Sequence, residues 1–176
     1  ADDKAGVTIM LYMIEKGIPG LYYFFLGEEV GCQGSKKLAH HHKKYPLPFI
    51  RKVISFDKRG TDSVVTFQRS YRCASLKFAS ELANQLNKFV DDFSYKPDIK
   101  AFSTDSYQFV DIYPECTNIS VGYYNEHTFN EYQDINHLEK LSEACTKIDW
   151  SSLPVERNPY VKEYLYKTES FPVFFL

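Results

Sequence analysis

The 176-residue sequence is 44% hydrophobic and 25% charged, the balance of a globular chain long enough to bury a core. Its net charge of −2, with Lys and Arg scattered, gives no electrostatic footprint for nucleic acid. No apolar run approaches the roughly 18 residues that a membrane span needs, and the longest candidate, Phe171–Leu176, is far too short.

In chain order, Val7, Met10, Leu11 and Ile14 fall at i, i+3, i+4 and i+7, so residues 4–16 read as an amphipathic helix ended by Gly17, Pro19 and Gly20. Leu21–Leu26 is a continuous apolar run, predicted to be a strand buried on both faces that stops at Gly27. A short helix follows from Ser35 to His42, and its run His40-His41-His42 beside Lys43 and Lys44 reads as a solvated face. Phe49–Phe56 is a second buried strand ending at Asp57, and Ser63–Phe67 is a third after a turn at Arg59-Gly60. Leu76, Ala79, Leu82, Leu86 and Phe89 mark a long helix over 72–91. Cys116–Tyr124 is a further strand, and Ile135, Leu138, Leu141, Cys145 and Ile148 mark a last helix.

Buried strands alternating with amphipathic helices imply an α/β fold, a three-layer α/β/α sandwich around a mostly parallel mixed sheet. In such sheets, sites form where strands end and loops begin. Asp2, Glu28-Glu29, Asp57 and His127 all fall at such junctions. Cys32, Cys73, Cys116 and Cys145 form no CxxC pair and read as free, mostly buried thiols of a reducing, cytoplasmic chain. Asn118-Ile119-Ser120 matches a glycosylation sequon, but inside a strand-like run it is a chance match.

Gly27-Glu28-Glu29-Val30-Gly31 sets two carboxylates side by side at the end of the most apolar segment. Desolvation and mutual repulsion oppose their ionisation unless a cation compensates. Alone, this pair reads as a solvated loop, Asp57 as a turn residue, Asp2 as a helix N-cap and His127 as a surface imidazole. Together, carboxylates plus one imidazole suit zinc, cobalt or manganese. A paired-metal site needs one carboxylate to bridge the ions and another, outside the metal shell, to move a proton. Adjacent glutamates can divide that labour, one as ligand and one as base.

Three segments carry a resemblance: Ala1-Asp2-Asp3-Lys4-Ala5-Gly6; Phe25-Leu26-Gly27-Glu28-Glu29-Val30-Gly31 with Gly34-Ser35; and Phe56-Asp57. They resemble successive motifs of the co-catalytic zinc exopeptidases, the group of leucyl aminopeptidases, tetrahedral aminopeptidases and peptidase T-like tripeptidases. The resemblance implies peptide hydrolysis by two divalent metal ions, most simply zinc, that activate a bridging water. Asp2 would bridge the metals, Glu28 would be the general base, Glu29 would bind one metal and Asp57 the other. Ser103-Thr104-Asp105-Ser106 lacks the His that follows Ser-Asp in leucyl aminopeptidases. Tyr123-Tyr124-Asn125-Glu126-His127-Thr128-Phe129-Asn130-Glu131 resembles instead the later motif of the tetrahedral group and nominates His127. Asp105 is left to support the site, face substrate or cap its loop.

The resemblance further implies a metal-binding His, in a His-x-Asp motif, upstream of Ala1. Residues 1–176 are thus expected to form one catalytic domain lacking that N-terminal segment and carrying no inserted lid domain. The expected partner is a peptide substrate, with neither nucleic acid nor membrane. A carboxypeptidase, deacylase or cyclase on the same scaffold, and a non-catalytic binding or structural relative, are the competing readings. No cysteine nucleophile is expected, because Glu28 and Glu29 would raise the Cys32 thiol pKa.

Overall fold

The computed structural model describes residues 1–165, so the apolar tail Phe171–Leu176 lies outside the described residues. Among the described residues there are four α-helices: α1 (Lys4–Glu15), α2 (Gln33–Lys44), α3 (Leu76–Phe89) and α4 (Ile135–Lys147). The strands are β1 (Lys52–Lys58), β2 (Ser63–Val65), β3 (Phe67–Gln68), β4 (Tyr71–Arg72), β5 (Lys96–Asp98), β6 (Glu115–Ser120), β7 (Tyr123–Tyr124) and β8 (Tyr132–Gln133). A 3-10 turn covers Asp105–Phe109. The central sheet runs β1-β6-β2-β5, with β1 parallel to β6, β2 parallel to β5 and only β2 against β6 antiparallel. This is the mixed α/β architecture with a mostly parallel sheet that the alternating pattern implied.

The core lies where β2 and β6 meet α3 and α4: Val64, Val65, Ile119, Phe78, Leu82, Leu86 and Leu141 are fully buried. Ser75 caps α3 by accepting the Phe78 N–H at 3.2 Å, and Asp134 caps α4 by accepting the His137 N–H at 2.9 Å. Such caps contribute about 1 kcal/mol each. Buried Glu115 at the start of β6 accepts the N–H groups of Ser75, Glu156 and Arg157, which ties α3 and the chain after α4 to the sheet.

Three expectations are corrected. Leu21–Leu26 forms no strand: among the described residues it joins no ladder, and Leu26 is 85% exposed. The sheet ends at β1, and a segment with no ladder partner cannot bury both faces, however apolar it is. Second, α1 buries Ala5, Gly6, Ile9 and Met13, while Val7, Leu11 and Ile14 of the expected stripe are exposed. Small residues decide this phase, because a Cβ on Gly6 would lie 2.2 Å from the Phe56 carbonyl oxygen, so only glycine lets α1 approach β1. Third, His42 is not solvated: it is buried, and its Nδ1 lies 2.9 Å from the Tyr113 hydroxyl, whereas His40 and His41 are exposed.

Smaller differences follow from edges and breaks. The second strand starts at Lys52 and is only half-buried, as an edge strand must be. The Cys116–Tyr124 run divides at Gly122, whose φ of +89° ends β6 before β7. All four cysteines are free and buried. Asn118 of the sequon is buried in β6, where its side chain has a structural task described below.

Candidate metal centre

The loops at the C-terminal ends of the β1 and β6 strands and the N-terminus of α1 bring together the residues singled out from sequence. Asp3, not Asp2, is the N-cap of α1: its Oδ1 accepts the Gly6 N–H at 2.9 Å. That leaves the Asp2 carboxylate free to point into the site. The Asp2–Asp3 peptide bond is cis.

Two ligand-like groups share Asp2. In one, Asp2, Glu29 and His127 offer donor atoms within 4.8 Å of one another; in the other, Asp2, Asp3 and Asp57 do. His127 Nε2 sits 3.0 Å from Asp2 Oδ2 and 3.0 Å from Glu29 Oε1. On the other side, an Asp57 carboxylate oxygen lies within 4.8 Å of one of Asp2. His127 lies in a loop where both it (φ +62°) and Asn125 (φ +56°) take left-handed backbone conformations. Such conformations in non-glycine residues concentrate at functional sites.

Burial and like charge act on every carboxylate here. Burial chiefly, then the neighbouring Asp3 and Asp2, pushes Asp57 up to about 9. Burial pushes Asp3 up to about 8 against the opposing Gly6 hydrogen bond. Asp2, Glu28 and Asp105 are raised as well, burial leading in each case. The His127 imidazole moves the other way in charge: its hydrogen bond to Glu29, then the Glu29 charge, raises its pKa and favours the cation. The four carboxylates of Asp2, Asp3, Glu29 and Asp57 with one imidazole are a donor set that fits divalent cations, whose charge would let the carboxylates ionise.

Glu28 and Glu29 diverge as adjacent residues on a tight turn should. Glu29 turns to His127, while Glu28 lines the cleft with Asp2, Asp3 and Asp57 and accepts the Cys32 thiol at 3.5 Å. Burial, then Glu28, raises that thiol to about 11, so Cys32 is no nucleophile. Asp105 opens the 3-10 turn and accepts the hydroxyl of buried Ser35, and it faces the same cleft.

Residues 21–153 match the model of peptidase family M28. The chain belongs to peptidase family M28. The matched span contains Glu28, Glu29, Asp57, Asp105 and His127, while Asp2 lies just before it. No curated protein sequence matches the chain. One solved structure, titled "3-D structure of PhTET1-12s, dodecamer in the asymmetric unit", aligns with a TM-score of 0.59 at 20% identity. That alignment covers 82% of this chain and 47% of the other, so the chain spans about half the length of the structure it resembles. At this identity the likeness establishes the shared fold.

Several contributors to this cluster were not singled out from sequence. Asn118 grips Asp57 from β6, its Oδ1 accepting the Asp57 N–H at 2.9 Å and its Nδ2 donating to the Asp57 carbonyl at 2.6 Å. The Tyr123 hydroxyl donates to Asp57 Oδ1 at 3.2 Å. Glu131 accepts the N–H groups of Asp2 (3.2 Å) and His127 (3.3 Å), tying two ligand candidates to one carboxylate. Asp3 was visible only as the neighbour of Asp2; Tyr123 and Glu131 lie in the motif that nominated His127, and Asn118 in the sequon, but nothing in either assigned them these contacts.

Proposed function

We propose that this M28 chain carries a two-metal aminopeptidase site that hydrolyses the N-terminal peptide bond of its substrate. The observation that carries the reading is the position of Asp2, common to both ligand groups, with Glu28 beside it in the cleft. Asp2 would bridge two ions, Glu29 and His127 would hold one, and Asp57 would hold the other with Asp3 nearby. When bound, divalent ions of this kind polarise a carbonyl and acidify water.

The chain's own residues do the rest. Glu28 is not among the clustered donors, so its carboxylate is left to take the proton of the attacking water and pass it to the leaving amine. Its burial raises its proton affinity toward the range a base needs at neutral pH. Asn118 and Tyr123 hold Asp57, and Glu131 holds the Asp2 and His127 backbones, so the donors are fixed before substrate arrives. The amino end of a peptide is favoured over its carboxyl end by charge. Asp2, Asp3, Glu28, Glu29, Asp57 and Asp105 line the cleft near the site, whereas Arg51 and Lys52 sit toward the start of β1.

The test is Glu28→Gln in the zinc-loaded protein, with aminoacyl-p-nitroanilide and dipeptide substrates. Loss of turnover by at least about 100-fold with unchanged zinc content is expected for a general base. Retained turnover, or zinc lost in parallel with activity, would remove Glu28 from this role.

A further inference from the structure

Among the described residues, Asp2, Asp3, Glu28, Glu29, Asp57 and Asp105 bring their carboxylates to one cleft, and five of the six have a use there. Asp2, Asp3, Glu29 and Asp57 make up the two donor groups, and two divalent ions match their charge. Glu28 is left to move the proton. Asp105 stands in neither donor group, and its charge is the one left over.

The fold spends several buried groups on holding Asp105 in place. The Thr104 N–H before it donates to Gln68 Oε1 at 3.0 Å, and the Ser106 N–H after it donates to Ser55 Oγ at 3.1 Å. Gln68 Nε2 also donates to the Ser106 hydroxyl at 3.1 Å and the Cys116 carbonyl at 3.4 Å. Gln68, Ser106 and Ser35 are fully buried, and Ser35 donates its hydroxyl to Asp105 Oδ1. Strands β3 and β1 thus fix the backbone while α2 fixes the carboxylate. Buried polar networks that are satisfied in this way are rigid.

Capping does not account for this carboxylate. Thr104, not Asp105, is the N-cap of the 3-10 turn, and the Asp105 side chain accepts no backbone N–H. Its Oδ2 has no hydrogen-bond partner among the described residues and is not sealed from solvent. No described lysine, arginine or histidine forms an ion pair with it. Lys52 of the cleft wall is engaged by the Trp150 and Ser151 carbonyls. Burial disfavours ionised Asp105, and the Ser35 hydrogen bond opposes that. One oxygen held and the other open make a receptor for a cation that arrives with the ligand.

We infer that Asp105 receives the terminal ammonium of the peptide through Oδ2 and so restricts the site to free amino termini. The identity of this ligand rests on the aminopeptidase reading above. An ammonium brings three N–H donors and a full charge to the carboxylate, and an acylated terminus brings neither the charge nor the extra donors. Ser35, Gln68 and Ser55 are positioning residues that act through Asp105.

The test uses L-leucinol and its des-amino counterpart, 4-methylpentan-1-ol, which have no scissile bond, so binding is read apart from turnover. Each is titrated by ligand-observed NMR into the zinc-loaded 176-residue chain as wild type, Asp105→Asn, Ser35→Ala and Glu28→Gln. Zinc content and urea midpoint are measured for each protein. Asn keeps an oxygen for the Ser35 hydroxyl, so the first variant removes the charge alone. The wild type should prefer leucinol by at least about tenfold, and Asp105→Asn should lose that preference with zinc content and alcohol binding unchanged. Ser35→Ala should weaken leucinol about threefold and leave the alcohol unaffected. No leucinol preference in the wild type, an undiminished preference in Asp105→Asn, or leucinol binding unaltered by Ser35→Ala would each overturn the inference. Glu28→Gln separates the two claims: turnover retained there refutes the base, while the leucinol preference still judges Asp105.

Discussion

Replacing Asp57 by Asn should make the metal-free protein more stable and the zinc-loaded protein less so. Asp57 is largely buried among Asp2, Asp3 and Glu28, and its folded pKa of about 9 means that without metal it folds as the neutral acid. An unfolded aspartate, at 3.8, is ionised at pH 7, so folding must first protonate it. At 1.36 kcal/mol per pH unit that costs about 4 kcal/mol at pH 7. Asn is neutral in both states and nearly the same shape. Because Asp2 shares the local charge, part of the gain is lost to rearranged protonation, and a gain of about 2–4 kcal/mol is expected.

The pH dependence has a definite sign. From about pH 4 to about pH 9 the metal-free folded chain binds more protons than the unfolded one, through Asp57 and Asp3. Its stability therefore falls as pH rises across this window, and Asp57→Asn flattens the fall. Zinc inverts the slope, since protons and metal compete for the same oxygens. Urea denaturation at pH 5, 7 and 8.5, in EDTA and in zinc, measures all of this. A variant destabilised in EDTA at pH 7, or a wild-type stability in EDTA that rises with pH, would mean that Asp57 is not buried as the neutral acid.

Asn118→Ala strips both hydrogen bonds from the Asp57 backbone inside the fold, and should cost about 2–5 kcal/mol by urea denaturation and weaken zinc binding by calorimetry. Gly6→Ala puts a Cβ against the Phe56 carbonyl and should cost about 1–3 kcal/mol in the same denaturation assay, because backbone cannot swing aside as a side chain can.

The helices and the central strands were legible because their apolar spacing is their reason for folding. Leu82 and Leu86 on α3, Leu141 and Cys145 on α4, and Ile119 on β6 are buried as their periodicity requires. Two of the misreadings share one cause. Leu21–Leu26 and the Val7–Ile14 stripe carry apolar signals that the described residues leave unpaired, and a sequence pattern says that a face wants cover without saying what supplies it. His42 was misread because a buried imidazole needs one specific partner, Tyr113, located 71 positions away. Strand β5, with Lys96-Pro97-Asp98, has no apolar alternation to reveal it.

At the site, residue type and local motif were enough to nominate Asp2, Glu28, Glu29, Asp57, His127 and Asp105, and the fold places all six around one cleft or its mouth. The division between Asp2 and Asp3 was not legible. Either could cap α1, and only the fold shows that Asp3 does, leaving Asp2 for the centre. Asn118, Tyr123 and Glu131 act through backbone and hydroxyl contacts that no sequence spacing encodes.

The most direct test of a two-metal centre organised on Asp2 is zinc-edge anomalous diffraction from crystals grown with zinc. The expected result is a pair of anomalous peaks about 3.5–4 Å apart that share Asp2 as a ligand at about 2.0–2.2 Å, with Glu29 and His127 on one ion and Asp57 on the other. Zinc held at His40 and His41 instead, or bound with Asp2 outside its coordination sphere, would contradict it.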